Sequence, residues 1–209
     1  LLFAAALAGC SPDDGSTGST GLSVLTAAAT QLGPAITCAS GAWGDVDGNG
    51  ELDPILGSLG GGLQLHLTTG GTPGTRTSYG GALNVNDVAL GDCDGDGALD
   101  AALATSSTQP LTVLANDGAG GFTTVWTAVS NADSTSVAFA DWDGDGDLDL
   151  AEATDLGDAQ RVWENDGSCG FTEVWASTEL ERVRDLAWAD VDGDGDPDLA
   201  LAALDNNAG

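Results

Sequence analysis

A nine-residue acidic segment recurs four times in the chain and constrains the fold more than any other feature. It reads DVDGNGELD at 45–53, DCDGDGALD at 92–100, DWDGDGDLD at 141–149 and DVDGDGDPD at 190–198. The first aspartates of these segments are separated by 47, 49 and 49 residues. A period of this length is typical of repeat proteins, in which each repeat forms one supersecondary unit.

The similarity between the repeats continues on both sides of each acidic segment. An alanine lies three residues before the first aspartate, and a large apolar residue lies two before it: Trp43, Leu90, Phe139 and Trp188. Farther along, NDGAGGFTTVW at 116–126 matches NDGSCGFTEVW at 165–175. Asn-Asp-Gly is typical of a tight turn, and the alternation that follows it indicates a half-buried strand.

Each repeat is therefore predicted to contain four short strands. In the third repeat they precede the acidic segment, follow it, and lie near 160–164 and 170–176. Four strands per repeat of nearly 50 residues predict an all-β fold, a β-propeller of four-stranded blades, with about four repeats in 22–209. A β-solenoid is the alternative, but its coils are usually shorter. Because the fourth repeat stops after two strands, we expect a fragment of a larger propeller, for example a seven-bladed one; a four-bladed ring with a defective last blade is the alternative.

The spacing of the acids within each segment points to a bound cation. The pattern D-x-D-x-D/N-G-x-x-D places oxygen donors at loop positions 1, 3, 5 and 9, and position 7 can add its backbone carbonyl. Flexible sets of hard oxygen donors suit Ca²⁺ at six to eight coordination, whereas Mg²⁺ prefers a rigid octahedron that keeps its waters. A merely solubilising role requires charge, but it does not require one register repeated four times.

The helical EF-hand shares the first half of this pattern and is excluded by the second half. It requires a bidentate glutamate at position 12 and a helix on each side. Position 12 is occupied here by Leu56, Leu103, Glu152 and Leu201, and the flanking segments alternate as strands do.

Acidic DxDGDGxxD loops between the first two strands of propeller blades resemble the FG-GAP repeat family, which is integrin α-type and is also called VCBS. The resemblance covers about 36–209, although the Phe-Gly element that names the family survives only as Gly121-Phe122 and Gly170-Phe171. It implies one Ca²⁺ per loop, about four ions in all, held on the propeller rim.

The ligands that this resemblance implies come from the four acidic loops. The side-chain ligands are Asp45, Asp47, Asn49 and Asp53 in the first loop, Asp92, Asp94, Asp96 and Asp100 in the second, Asp141, Asp143, Asp145 and Asp149 in the third, and Asp190, Asp192, Asp194 and Asp198 in the fourth. The carbonyl ligands, one per loop, are Glu51, Ala98, Asp147 and Asp196. Asn49 replaces an aspartate and predicts a weaker first site. Because the site recurs in every repeat, we expect the ions to stabilise the fold.

The first 21 residues resemble an exported leader followed by a tether. LLFAAALAG at 1–9 is too short to span a bilayer but suits a signal peptide, and Leu-Ala-Gly-Cys resembles a bacterial lipobox. We therefore predict a truncated signal at 1–10, lipidation of Cys10, and a flexible tether at 11–21; an apolar helix with a buried free cysteine is the alternative. Cys38, Cys93 and Cys169 remain, and their pairing is left open.

The charge of the chain excludes several partners. Four Lys and Arg against 33 Asp and Glu give a formal net charge of −29. This balance excludes nucleic acid and anionic membrane surfaces and favours metal cations. The membrane is then contacted only through the lipid on Cys10.

No catalytic motif accompanies these repeats. The single histidine, His66, lies in an apolar alternating segment with no nucleophile motif elsewhere. We predict a non-enzymatic calcium-binding propeller, lipid-anchored at the bacterial cell envelope on the outer membrane or cell surface, that recognises a protein or glycan. The alternatives are an accessory domain of a larger exported enzyme and a purely structural envelope protein.

Overall fold

A computed structural model describes residues 23–24, 30–31, 36–106, 108–129, 132–155, 157–179 and 181–204. The predicted signal segment with Cys10 and the predicted tether lie outside these residues. The described part of the chain is built from strands and contains no apolar helix long enough to cross a membrane.

Eighteen strands follow one another along the described residues. They are β1 (Ser23–Val24), β2 (Thr30–Gln31), β3 (Cys38–Gly44), β4 (Asp53–Ser58), β5 (Gly62–Leu65), β6 (Thr68–Thr69), β7 (Thr72–Pro73), β8 (Thr77–Tyr79), β9 (Val85–Gly91), β10 (Asp100–Thr105), β11 (Thr112–Asn116), β12 (Phe122–Thr127), β13 (Ser134–Ala140), β14 (Asp149–Thr154), β15 (Arg161–Asn165), β16 (Phe171–Ala176), β17 (Arg182–Ala189) and β18 (Asp198–Leu204).

The strands form three four-stranded antiparallel sheets and three two-stranded ones, β1-β2, β6-β7 and β17-β18. Blade 1 has the order β3-β4-β5-β8, blade 2 has β9-β10-β11-β12 and blade 3 has β13-β14-β15-β16, while β17 and β18 pair as the first half of blade 4. The first strands of successive blades, β3, β9, β13 and β17, lie next to one another; we call them the inner strands. The prediction of an all-β fold with four-stranded propeller blades is confirmed.

The hydrophobic core lies between blades, because each sheet buries both of its faces near the inner side. Every residue of β4, β10 and β14 is buried, whereas the fourth strands β12 and β16 are largely exposed. Three apolar clusters follow, one for each pair of neighbouring blades. Since no blade buries its own faces alone, the blades stabilise one another.

A disulfide joins blades 2 and 3. Cys93, in the second acidic loop, is bonded to Cys169, in the turn between β15 and β16; 76 residues separate them in sequence and 5.1 Å separates their Cα atoms. None of the cysteines among the described residues is a free thiol. Cys169 also has a positive φ of 58°, which is unfavourable for a residue other than glycine.

Blade 3 contains a buried carboxylate at loop position 12. Glu152 is 1% exposed. Ser134 Oγ donates a hydrogen bond to its Oε1 at 2.6 Å, Trp163 Nε1 donates to its Oε2 at 3.2 Å, and Arg161 Nη1 lies 3.7 Å from that oxygen. Burial raises the pKa of Glu152 above its ordinary value, and the Ser134 and Trp163 hydrogen bonds and the charge of Arg161 oppose that rise only in part.

The raised pKa of Glu152 predicts a pH dependence of stability. A carboxyl that binds its proton more tightly in the folded state contributes stability below its unfolded pKa and loses that contribution as pH rises through its folded pKa. In EDTA, the free energy of unfolding of the wild type should therefore fall, relative to Glu152→Gln, as pH rises from about 4 towards 7. Urea denaturation at each pH measures the difference. The exposed Glu179→Gln variant controls for the loss of one charge, and parallel pH profiles for the wild type and Glu152→Gln would contradict the prediction.

Candidate metal-binding loops

Each acidic loop connects the first and second strands of its blade and folds into a series of Asx turns. In the third loop, the backbone N–H of Asp145 donates to Asp143 Oδ1 at 3.1 Å, and the N–H of Asp147 donates to Asp145 Oδ1 at 2.9 Å. The N–H of Gly146 reaches back to Asp141 Oδ2 at 3.2 Å. The same three bonds recur in the other three loops. The side chains at positions 1, 3 and 5, which are aspartates except for Asn49, thus fold back onto the backbone of their own loop.

Glycines at positions 4 and 6 make this path possible. In the third loop, Gly144 has a φ of +77° and Gly146 a φ of +101°, and the other loops repeat these values closely. A Cβ on either glycine would meet no atom within 4 Å. Backbone conformation, and not lack of space, therefore selects glycine at both positions.

The aspartate at position 9 closes each loop from within the protein. Asp149 Oδ2 accepts the N–H of Trp142 at 2.9 Å, and its Oδ1 accepts the N–H of Asn165, at the end of the third strand, at 2.9 Å. Asp100 accepts the equivalent N–H groups of Cys93 and Asn116, whereas Asp53 accepts those of Val46 and of Thr68 in β6; all three aspartates are buried. Burial raises the pKa of each above its ordinary value, although the two backbone hydrogen bonds oppose the rise. Asp198 is exposed and accepts only the N–H of Val191 among these bonds.

Three predicted ligands per loop converge closely enough to hold one cation. Their carboxylate oxygens lie within 4.8 Å of one another in the groups Asp45, Asp47, Asp53; Asp92, Asp94, Asp96; Asp141, Asp143, Asp149; and Asp190, Asp192, Asp194. Asp100, Asp145 and Asp198 lie in the same loops but are not members of these groups. Cys93, Asp100 and Cys169 also converge, but both sulfurs are consumed by the disulfide and are not thiolate ligands.

Two further observations fit a cation in these loops. Asp92 Oδ1 is buried and has no hydrogen-bond partner among the described residues, so one lone-pair set at position 1 has lost water without a replacement. At position 7, the Glu51 carboxylate accepts the N–H groups of Gly70 and Gly71, at 2.6 and 2.7 Å. That side chain is committed to the β6–β7 turn, which leaves its carbonyl for the role predicted at this position.

An asparagine from the next blade bonds to each of the first two loops. Asn116 Nδ2, in blade 2, donates to the carbonyl of Val46 in the first loop at 2.8 Å and to that of Leu99 in its own loop at 3.1 Å. Asn165 in blade 3 repeats this arrangement with Cys93 and Leu148, at 2.7 and 3.0 Å. The sequence indicated these asparagines only as turn residues, although their recurrence at the 49-residue step was the signal of a second role.

The exposed fraction of the residue at loop position 2 shows how far the next blade covers each loop. Val46 and Cys93 are 1% and 2% exposed, because blades 2 and 3 cover them. Trp142 and Val191 occupy the same position in the last two loops and are 36% and 76% exposed. Among the described residues, only the first half of blade 4 follows the third loop.

His66 is buried next to β5 and contacts backbone groups. It follows β5 and is 2% exposed; its Nδ1 lies 3.0 Å from the carbonyl oxygen of Gly74. The backbone N–H of His66 donates to the carbonyl of Pro54 at 3.2 Å. Its surroundings agree with its interpretation as a packed residue of the blade.

Comparisons with known proteins agree with this architecture. Residues 92–152, which include the second and third acidic loops, match the family model of the FG-GAP-like repeat. No curated protein matches the sequence. The fold is similar to one in the crystal structure of BBS1N in complex with ARL6DN, soaked with lead: the TM-score is 0.54 at 12% identity, over 83% of this chain and 52% of that one.

A second similar structure is the biofilm matrix protein Bap1 of V. cholerae, with a TM-score of 0.51 and 19% identity, over 80% of this chain and 28% of that one. The chain thus spans about half of the first matched chain and less than a third of the second. The family match and the shared β-propeller-like fold confirm the resemblance inferred from the acidic loops: this chain carries FG-GAP-like repeat sequence at residues 92–152, on four-stranded propeller blades.

Proposed function

We propose that this protein is a non-enzymatic β-propeller, stabilised by calcium, that presents a recognition surface at the bacterial cell envelope. The observation that carries the calcium part is the convergence of three carboxylates in each of the four loops, whose oxygens lie within 4.8 Å of one another. The envelope location depends on the predicted lipidation of Cys10, which lies outside the described residues.

Calcium fits the donor set better than other common cations. The loops offer carboxylate, amide and carbonyl oxygens on a flexible backbone, and neither His nor a free thiol is among them. They also hold 18 of the 33 acidic residues, so that each bound ion offsets repulsion within its own loop. Ca²⁺ would be held by the residues at positions 1, 3, 5 and 9 and the carbonyl at position 7, and the charge it supplies would hold each loop closed.

A calcium titration followed by thermal unfolding tests this part of the proposal. A ligand that binds only the folded state at 100 times its Kd adds about 2.7 kcal/mol to the free energy of unfolding. Extracellular calcium modules bind at about 10⁻⁴–10⁻³ M, so we expect the Tm to rise between EDTA and about 10 mM CaCl₂. MgCl₂ at equal concentration controls for ionic strength. An unchanged Tm in calcium, or an equal rise in magnesium, would refute calcium-specific stabilisation.

The recognition part of the proposal is supported by the lack of a catalytic motif in the repeats and by a similar fold in a biofilm matrix protein. Nothing in the repeat resembles a catalytic motif, and the acids that converge are assigned to cation binding. The V. cholerae protein with a similar fold is a biofilm matrix protein, which motivates testing this chain for binding at the cell surface. Adhesion of beads coated with the protein to whole cells and to isolated matrix polysaccharide, with and without EDTA, measures that binding. Equal adhesion by beads coated with heat-denatured protein would refute it.

A further inference from the structure

Each inner strand contains one β-bulge, and the four bulges occupy equivalent places in the repeat. The strand pairing skips one residue between Cys38 and Ser40, between Val85 and Asp87, between Ser134 and Ser136, and between Val183 and Asp185. The skipped residues are Ala39, Asn86, Thr135 and Arg184. A bulge re-aims a side chain away from the regular alternation of a strand and is common beside binding sites.

All four bulge residues line one cavity of about 630 Å³. Ligand sites for small molecules are usually about 300–1,000 Å³. The cavity lies where the inner strands begin, whereas the acidic loops follow the ends where those strands finish. It is therefore separate from the candidate metal sites.

The next residue of each inner strand holds the bulges in place. Ser40 Oγ donates to Asp87 Oδ1 at 2.7 Å, and Ser136 Oγ donates to Asp87 Oδ2 at 2.9 Å, so that hydrogen bonds link three neighbouring inner strands. Thr135 Oγ1 donates to the carbonyl of Val183 at 2.8 Å and links the third inner strand to the fourth. The walls of the cavity are thus fixed before any ligand arrives.

The four bulge positions carry different residues, whereas nearby positions of the repeat carry the same residue in all four copies. The positions three residues before the acidic loops are always alanine, and the first position of each loop is always aspartate. The bulges instead carry an alanine, an amide, a hydroxyl and a guanidinium. A repeated scaffold with four different side chains at one place is the arrangement that a specific binding site requires.

The polar groups in the cavity indicate the class of ligand. Asn84 and Ser106 join Asn86 and Thr135 in the lining, and no side-chain hydrogen bond is found for Asn84 or Ser106 among the described residues. Two charged residues, Asp133 and Arg184, also line the cavity. Arg184 Nη2 lies 2.9 Å from Asp155 Oδ2, and Arg182 Nε pairs with Asp155 Oδ1, so one carboxylate is shared by two guanidinium groups. Amides, hydroxyls, one carboxylate and one guanidinium offer both donors and acceptors, which suits the hydroxyl groups of a neutral ligand.

Charged ligands fit less well. The net charge of −29 repels anions from the whole molecule. In the lining itself, the carboxylate of Asp133 and the guanidinium of Arg184 carry opposite charges, so neither a cation nor an anion meets a net charge there. We infer that this bulge-lined cavity is a binding site for a neutral saccharide; the inference rests on the proposed recognition function and names its site and ligand class.

The test is a ¹⁵N NMR titration of the full chain in saturating CaCl₂. The probes are glucose, galactose, mannose, fucose and N-acetylglucosamine, each to about 100 mM because single hexoses bind weakly. At least one sugar should shift the amide signals of Asn86, Thr135 and Arg184 in a saturable way. Arg184→Gln should weaken that binding about tenfold, since hydrogen bonds to a charged group are the stronger ones. Asn84→Ala should weaken it about fivefold.

Arg76→Gln is the matched control, because it removes the same charge outside the cavity and should leave the affinity unchanged. Saturable shifts that survive Arg184→Gln and Asn84→Ala, or no saturable shift with any of the five sugars, would overturn the inference. So would tighter binding of galacturonate than of galactose, or shifts produced only by tetralysine or tetra-aspartate peptides. The calcium-dependent Tm of the same samples separates the outcomes: a Tm that rises with calcium while no sugar binds refutes the cavity assignment and leaves calcium stabilisation intact.

Discussion

Replacing Asp149 with alanine is expected to lower the free energy of unfolding by about 3 kcal/mol even in EDTA, since each buried N–H that loses its acceptor costs about 1–3 kcal/mol. Asp149 accepts the N–H groups of Trp142 and Asn165 and is buried. Its removal also relieves repulsion from Asp143 and Asp145, which is why the expected loss is smaller than the sum of two broken hydrogen bonds.

Asp143→Ala in the same loop is the matched comparison. Asp143 is exposed and accepts the N–H of Asp145 within the loop. In EDTA this variant should keep nearly the Tm of the wild type, because water replaces the lost acceptor. In calcium it should lose part of the calcium-dependent rise in Tm. Thermal and urea unfolding of both variants, with and without calcium, measure these differences. Equal destabilisation of the two variants in EDTA would show that position 9 has no structural role beyond metal binding.

Removing the disulfide between Cys93 and Cys169 is the second change with a large expected effect. The loss of a cross-link that closes a loop of about 76 residues should lower the free energy of unfolding by about 4 kcal/mol on the chain-entropy model. The internal repeat supplies a matched replacement: Val46 occupies the position of Cys93, and Gly120, with a φ of +80°, occupies that of Cys169.

The variant Cys93→Val/Cys169→Gly therefore removes the bond while keeping side chains that the same fold already accepts. Glycine also removes the unfavourable positive φ of Cys169, so a loss of stability would come from the missing cross-link. Urea denaturation with and without dithiothreitol should show that the reductant destabilises the wild type by more than it destabilises the variant, which keeps the disulfide of Cys38. A variant as stable as the oxidised wild type would refute a stabilising role for the disulfide.

Much of the fold was predictable because the repeat can be recognised directly in the sequence. The acidic loops and the Asn-Asp-Gly turns mark where strands end, so that the strands at 134–140, 149–154, 161–165 and 171–176 lie where the repeat placed them. The convergence of acids in each loop was equally visible, since the sequence repeats a carboxylate at every second position.

What the sequence did not reveal depends on contacts between blades. Asn165 bonds to Cys93, 72 residues away, and the partner of Cys93 lies in the next blade. Counting cysteines does not select that pair. The bulges at residues such as Arg184 were also invisible, because every repeat contains one and no repeat differs in length at that place. The second role of Asp149, as an acceptor for backbone N–H groups, is hidden for the same reason: its partner Asn165 belongs to a strand that the loop does not adjoin in sequence.

Because of the asparagine contacts, the first two acidic loops lie at the interfaces between neighbouring blades and not within single blades. An ion in the second loop would be held by residues of blade 2, while Asn165 and Cys169 of blade 3 bond to the same loop from the neighbouring blade. Loss of the ion should therefore separate neighbouring blades before either blade unfolds. In hydrogen exchange, chelation would first expose the amides of loop position 2 and of the Asn-Asp-Gly turn, while β10 and β14, whose residues are all buried, keep their protection. We therefore expect the interface between two neighbouring sheets to unfold as one cooperative unit. The stability of each blade then depends on its contacts with the blades before and after it.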